Sequence, residues 1–478
     1  MLIKFAPSQR STIGVEWELQ LINPQTNALA ECAPEVLAAV EKRHPKHGIL
    51  HSEMLRNTVE LVSRKRTTVA ECAADMNEGL SLLEPVLDEL GVELAGGGSH
   101  PFANPTHELV SEHPRYKELV ERTQYWGRQM LIFGTHVHVG VEDQAKALPI
   151  ARFLTTKIGL LQALTAASPF WDGIDTGYAD NRAMMFQQLP TAGIPPELPT
   201  WESLEEYTDN MMQVGAIHHF DELRWDVRPA PHFGTVEARI ADSSSNLAEV
   251  RALAALVHSL VEWASRELDA GRELPTLPHW YVEENKWRAA RYGVGALLID
   301  TDDGELVPMM LALPDLVEQL LPVAEDLDCA ADLALAPELV SDGVGYVRQR
   351  LVSKRAGTLD AVVAHSRAEL KAGTPIAPAL FVARQWRGSD DATRSERSGH
   401  TPESGNPDEQ SGDAQPHSTV LIPQSDAIDA QPRIRDAYLR TPGSHSSDLS
   451  LQLGGEQSAA ASKATEKDRP EEWGAGAA

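Results

Sequence analysis

Cysteine is scarce in this chain: 3 residues among 478, namely Cys32, Cys72 and Cys329, widely spaced and without a Cys-x-x-Cys pair. The pattern argues against a disulfide framework or a cysteine-rich zinc site and suits free thiols in a reducing cytosol. Positive charge is also short. With 42 Lys+Arg against 70 Asp+Glu, the formal net charge is -28, which speaks against a nucleic-acid or anionic-membrane partner, since both need a basic surface. No apolar run approaches membrane-spanning length, and Met1-Leu2-Ile3-Lys4-Phe5-Ala6-Pro7 lacks the apolar core of a signal peptide. The expectation is a cytoplasmic protein with no nucleic acid and no membrane among its partners.

What is present is enough for a large core. A hydrophobic content of 42% is ordinary for a globular chain. One catalytic domain over residues 1–387 is expected, followed by a tail over 388–478. The tail is rich in Ser, Gly, Asp, Gln and Pro and reads as disordered. Within the domain, Gly14-Val15-Glu16-Trp17-Glu18-Leu19-Gln20 alternates as a strand does, so Glu16 and Glu18 share one face while Val15, Trp17 and Leu19 take the other. Carboxylates in neighbouring same-face positions repel unless a cation lies between them, and a hard divalent ion suits oxygen ligands.

Other segments repeat that division. Glu53 to Ser63 reads as extended, with Arg56, Thr58 and Glu60 on one face. Thr135 to Val141 puts His136 and His138 opposite Thr135, Val137 and Val139. Arg224 to Arg228 and Thr235 to Ile240 read as two strands, the first carrying Arg224, Asp226 and Arg228 on one face and the second Glu237 and Arg239. Thr68-Val69-Ala70-Glu71 is a capping box opening a helix to Leu90, and Asn246-Leu247-Ala248-Glu249 resembles one opening a helix to Ala270. Further helices are expected over Pro34–Arg43, Ala145–Ala167, Leu313–Ala330, Pro337–Ser353 and Leu359–Ala372, with a cationic helical patch at Glu284 to Arg291. Gly96-Gly97-Gly98 permits close approach to an anion but lacks the lysine of a P-loop. The Asp172 to Arg182 loop offers Tyr178, Asn181 and Arg182 to a small polar substrate.

The expected architecture is α+β: a mixed sheet packed on helices, with a charged concave face of carboxylate, imidazole and guanidinium. Carboxylates that gather divalent ions beside fixed arginines are what phosphoryl transfer needs. A hydrolase or a kinase uses the same parts, so the residues alone stop at magnesium-dependent phosphoryl chemistry. Two alternatives are a zinc hydrolase built on His136-x-His138 and a non-catalytic nucleotide or amino-acid sensor.

The ordered set Gly14-Val15-Glu16-Trp17-Glu18, Gly97-Gly98-Ser99-His100-Pro101-Phe102, Thr135-His136-Val137-His138-Val139-Gly140, the Ser168 to Arg182 segment, Val236-Glu237-Ala238-Arg239 and Glu284-Asn285-Lys286-Trp287-Arg288 resembles the glutamate–cysteine ligase type 2 family of carboxylate–amine ligases, over roughly residues 10 to 375. The resemblance implies a glutamine-synthetase-like catalytic fold, a curved and mostly antiparallel sheet around ATP and Mg2+. It also implies a reaction: ATP phosphorylates the γ-carboxylate of L-glutamate, and L-cysteine or another amine displaces the phosphate. A homo-oligomer is left open. Carried onto this sequence, the resemblance assigns Glu16, Glu18, Glu60, Glu237 and His138 to metal and Glu237 and Arg239 to catalysis. It assigns Tyr178, Arg182 and His136 to substrate, and Arg239, Lys286 and Arg288 to ATP.

Overall fold

The computed structural model describes residues 2–384; the tail expected from residue 388 lies outside the described residues. Its strands are β1 (Ile13–Ile22), β2 (Leu50–Ser52), β3 (Thr58–Val62), β4 (Glu93–Ala95), β5 (Thr135–Gly140), β6 (Phe170–Trp171), β7 (Ile174–Asp175), β8 (Val227–Ala230), β9 (Thr235–Ala238), β10 (Leu297–Ile299) and β11 (Leu306–Pro308). The first helices are α1 (Ala33–Arg43), α2 (Val69–Leu90), α3 (Pro114–Thr123), α4 (Tyr125–Arg128), α5 (Gln144–Thr156), α6 (Ile158–Thr165) and α7 (Asn181–Phe186). They are followed by α8 (Trp201–Gln213), α9 (Leu247–Asp269), α10 (His279–Tyr292), α11 (Met309–Asp326), α12 (Ala330–Asp342), α13 (Gly345–Ala356) and α14 (Asp360–Ala372).

The main sheet runs β2-β3-β1-β5-β9-β8, with β4 also on β1, and every pairing is antiparallel. The expected α+β fold, an antiparallel sheet with helices on its apolar face, is thus observed. Val15, Trp17, Leu19, Val137, Val139 and Val236 join one core with residues of α2, α5 and α9. Trp17 is wholly buried, and its indole donates to the Ser244 carbonyl at 3.0 Å, which fixes how the sheet seats on the start of α9. Gly79 makes this packing possible, because a Cβ there would stand 2.9 Å from Ile49 and 3.0 Å from Leu61. Thr68 caps α2 in a full capping box with Glu71. On α9, Asn246 accepts from the Glu249 amide while the Glu249 carboxylate turns to the Ser245 amide, so only half of that box forms.

Several boundaries differ from expectation for local reasons. The apolar run Ala145–Ala167 is two helices, α5 and α6, broken at Lys157. Pro337–Ser353 is also two, because Gly343 takes a φ of 97° between α12 and α13. Glu53 to Ser63 is not one strand: the chain turns between β2 and β3, and Arg56 leaves the expected face to pair with Glu35 at 3.3 Å. The three glycines after β4 are not an anion cradle. The Gly97 and Gly98 amides bond the Ser243 and Ala167 carbonyls, and a Cβ on Gly98 would collide with Asp242.

Candidate active site

The strand registers decide which charges meet. Across β1 and β3, Glu18 faces Glu60; across β1 and β5, Glu16 faces His136; across β5 and β9, His138 faces Glu237; across β9 and β8, Glu237 faces Arg228. Because side chains alternate, these residues share the face opposite the core. They line a cavity of about 370 Å³ with Glu53, Tyr116, Arg115, Arg182, Arg224 and Arg239. Like charges placed directly opposite destabilise a sheet pair, so the Glu18–Glu60 juxtaposition works against the fold.

The titration behaviour divides the carboxylates. Burial, with Glu53 adding to it, pushes Glu18 up to about 8; burial followed by Glu53, Glu16 and Glu18 pushes Glu60 well above the carboxylate range; and Glu53 is raised chiefly by burial. Glu16 goes the other way. Burial opposes its charge, but hydrogen bonds from His136 and His138 win and hold it low. Glu237 is likewise held low against burial by Arg228 and Arg239, and the same pairing keeps Arg239 charged. Arg228 Nε donates to Glu237 at 2.7 Å, and Arg239 Nη1 to its other oxygen, so one carboxylate aims two guanidinium groups.

His136 is fixed as a neutral ring. Arginine has only donors, so the contact of Arg182 Nη2 with His136 Nε2 at 3.3 Å makes that nitrogen the acceptor, and Nδ1 donates to Glu16 at 2.9 Å. Burial and the cation of Arg239 bring its pKa down to about 4. With both nitrogens engaged, His136 orients Glu16. His138 differs: its Nδ1 meets Thr235 Oγ1 at 3.0 Å, while Nε2 points between Glu16 (3.3 Å) and Glu237 (3.6 Å).

The donor set fits a hard divalent cation. Ligand atoms of Glu18, Glu53 and Glu60 lie within 4.8 Å of one another, as do those of Glu16, His138 and Glu237. Carboxylates that burial would force to keep protons are satisfied by such an ion instead. Of the expected site residues, the cavity brings together Glu16, Glu18, Glu60, His136, His138, Arg182, Glu237 and Arg239. It leaves out Asn181, whose amide donates to the Ser168 carbonyl at 2.7 Å and to Thr176 Oγ1 at 2.8 Å, and three more. Tyr178 packs under Arg291 at 5.6 Å and passes its carbonyl to Arg350; Lys286 is buried on Asp226 at 2.6 Å; Arg288 bonds Glu284 and the Leu297 carbonyl. Those partners are structural. Glu53, Arg115 and Tyr116 were not expected in the cavity. Glu53 falls on the wrong parity of an idealised strand, and only the turn after β2 swings it inward, where the Tyr116 hydroxyl lies 3.4 Å from its carboxylate.

The sequence profile of the glutamate-cysteine ligase family 2 (GCS2) matches residues 12–365. A protein of Arthrobacter sp. (strain FB24) named "Putative glutamate--cysteine ligase 2-1" is 47% identical over 370 residues, which is 76% of this chain and 97% of that protein. One of Corynebacterium glutamicum (strain R), named "Putative glutamate--cysteine ligase 2", is 47% identical over 363 residues, 76% and 96% of the two chains. The crystal structure of glutamate–cysteine ligase from Francisella tularensis in complex with AMP has a similar fold, with a TM-score of 0.56 at 12% identity over 84% of this chain and 97% of that one. A bifunctional glutathione synthetase from Pasteurella multocida gives a TM-score of 0.51 at 15% identity, over 76% and 51%. With the cavity's sheet-borne residues from Glu16 to Arg239 all inside the matched 12–365 segment, this chain belongs to the glutamate-cysteine ligase family 2.

Proposed function

We propose that this chain is an ATP-dependent carboxylate–amine ligase that joins the γ-carboxylate of L-glutamate to L-cysteine through a γ-glutamyl phosphate. The observation that carries this function is the opposition, in one cavity, of five glutamates to two arginines pinned on one of them, Glu237. A carboxylate is a poor electrophile, so it must be activated before an amine can attack. In the first step a glutamate oxygen attacks the γ-phosphorus, the β–γ bridging bond breaks, and ADP leaves. In the second, the amine attacks the acyl carbon, the bond to phosphate breaks, and the ammonium proton passes to solvent.

Arg239 and Arg228 meet the negative charge spread over the transferring phosphoryl group, and their buried anchor on Glu237 means they need no reorganisation as that charge develops. Arg182, held by the carbonyls of Arg239 (3.2 Å) and Ile240 (3.3 Å), keeps His136 and hence Glu16 in place. Magnesium held by Glu16, Glu18, Glu53, Glu60, Glu237 and His138 would neutralise the phosphates of ATP. The three cysteines are free, which suits the cytoplasm as its compartment.

The test is ADP and phosphate release by purified protein with magnesium, ATP and L-glutamate, adding L-cysteine and then other amines, with mass spectrometry of the product. ADP formation coupled to γ-glutamylcysteine is expected, and Arg239→Ala lowers kcat by about 10²–10³. Turnover with glutamate and a different amine changes only the acceptor. No ADP with any acid and amine overturns the function.

A further inference from the structure

Outside the cavity, two carboxylates converge where no cation meets them. Asn57, wholly buried just before β3, has two hydrogens on Nδ2 and spends both on acids, Glu31 Oε1 at 3.0 Å and Glu108 Oε2 at 2.9 Å. Glu31 precedes α1, and Glu108 ends the turn Pro105–His107. The Leu109 amide adds a second bond to Glu31 Oε1 at 3.1 Å, but Glu31 Oε2 is buried with no donor among the described residues. Glu108 lies within hydrogen-bond reach of Glu31, and neither acid has a Lys, Arg or His at ion-pair distance among the described residues. The other charged and titratable groups of this junction are engaged or remote: Arg56 pairs with Glu35 at 3.3 Å and also meets the field of Glu112, His107 is exposed, and the Cys32 thiol is pushed up by burial, Glu35 and Glu31. Two ionised carboxylates repel here, whereas one proton between them makes the contact a bond and satisfies the orphaned oxygen. Burial, and then Glu31, push Glu108 up to about 8.

This junction is the root of α3. Beyond Glu108, the Leu109 carbonyl accepts the Arg56 amide at 2.9 Å and the Ser111 amide donates to the Met54 carbonyl at 2.8 Å; Pro114 then opens α3, which carries Arg115 and Tyr116 to the cavity. No residue of α3 is buried, so the helix takes its position from its root and from the rim contacts of Tyr116 and Glu118. We propose that Glu31 and Glu108 form a proton-operated clasp: a proton shared between them closes the root of α3 on the start of β3, and its loss lets α3 move away from the cavity. Between 4.5, the ordinary value, and about 8, the closed clasp holds a proton that an opened one gives up. Opening therefore grows easier as pH rises, by up to about tenfold per unit, and levels off above that window.

Limited trypsinolysis of the full chain at about pH 7 and pH 9 tests the clasp, with each rate normalised to a short peptide substrate and the cuts at Arg115, Lys117 and Arg122 located by mass spectrometry. Because the readout is cleavage, it decides the clasp whether or not the ligase function stands. Wild-type cleavage within α3 is expected to speed about tenfold between the two conditions, the response of a single proton held with a value near 8. Glu108→Gln keeps a hydrogen where the shared proton lies, so its cleavage stays slow and changes by less than about twofold. Glu108→Ala removes the clasp and is cut at both conditions at least as fast as the wild type at the higher pH. A wild-type rate that does not respond to pH overturns the clasp. So does a Glu108→Gln protein that retains the wild-type response, since the cavity carboxylates, unchanged in that variant, would then be its source. Should Glu108→Ala not fold, Glu108→Gln decides alone, because its amide fills the same space as the carboxyl group.

Discussion

On one side of the cavity, Glu16, Glu18, Glu60 and Glu237 stand on paired strands whose opposite faces fill the core; on the other, Arg115 and Tyr116 stand on α3, a helix with no buried residue, and Arg224 on an irregular run. The strand side cannot yield without breaking the sheet. The helical side is held by little more than the Tyr116 contact to Glu53 and the pairing of Glu118 with His218 at 3.4 Å. Geometry that the proposed phosphoryl transfer needs fixed is therefore placed on the packed sheet, and the side of the cavity proposed to admit substrate is placed where packing is thin.

The sharpest way to break this comparison is to relieve the crowded wall. Glu18→Gln and Glu60→Gln should each lower ADP formation by about 10³ while leaving the metal-free protein no less stable, because each removes half of a directly opposed like-charged pair. Melting curves and turnover check both halves. The sign with pH follows from Glu18, whose pKa is raised from 4.5 to about 8. Between those values the folded chain holds a proton that the unfolded chain has lost, so metal-free stability falls as pH rises through the window, and Glu18→Gln flattens that slope.

A scaffold residue gives the opposite sign. His100 donates from Nε2 to the Asn27 carbonyl at 2.9 Å and accepts the Ala103 amide on Nδ1 at 3.0 Å, so burial holds it neutral and lowers its pKa from 6.5 to about 4. Between pH 4 and 6.5 the unfolded chain binds a proton that the folded chain refuses, so stability rises with pH there, by on the order of 3 kcal/mol. Denaturant melts of wild type and His100→Gln across that range check it: the variant should lose this acid-side dependence. The smallest effect concerns α3. Within residues 2–384, trypsin should cut first at Arg115, Lys117 or Arg122, and Tyr116→Phe should speed that cleavage a few-fold, whereas sites on the sheet stay resistant.

The same division governs what the sequence made legible. Alternation in β1, β5 and β9 is imposed by a core on one side, so the positions of Glu16, Glu18, His136, His138 and Glu237 could be read from apolar neighbours alone. Glu53, Tyr116 and Arg115 reach the cavity through a turn and a surface helix, and no periodicity marks them. Lys286 and Arg288, offered for ATP, stand outside the cavity. Their charges looked available on α10, but Asp226 and Glu284 claim them, because an internal cation must find a partner and a surface one usually does. Tyr178 was drawn from a loop of promising composition, and its ring is spent on Arg291.

The strand order also bears on how the chain is made. β1 receives β3 from nearby, but Glu16 meets His136 across 120 residues and the Trp17 indole meets Ser244 across 227. During synthesis the charged face of the sheet is therefore complete only after β9 has emerged and closed on β5. A nascent chain that ends before Thr235 leaves the β5 edge open, with apolar valines on one side and unneutralised glutamates on the other. Such fragments would be slow to collapse productively and apt to pair with one another, so this protein commits to its fold only late in translation.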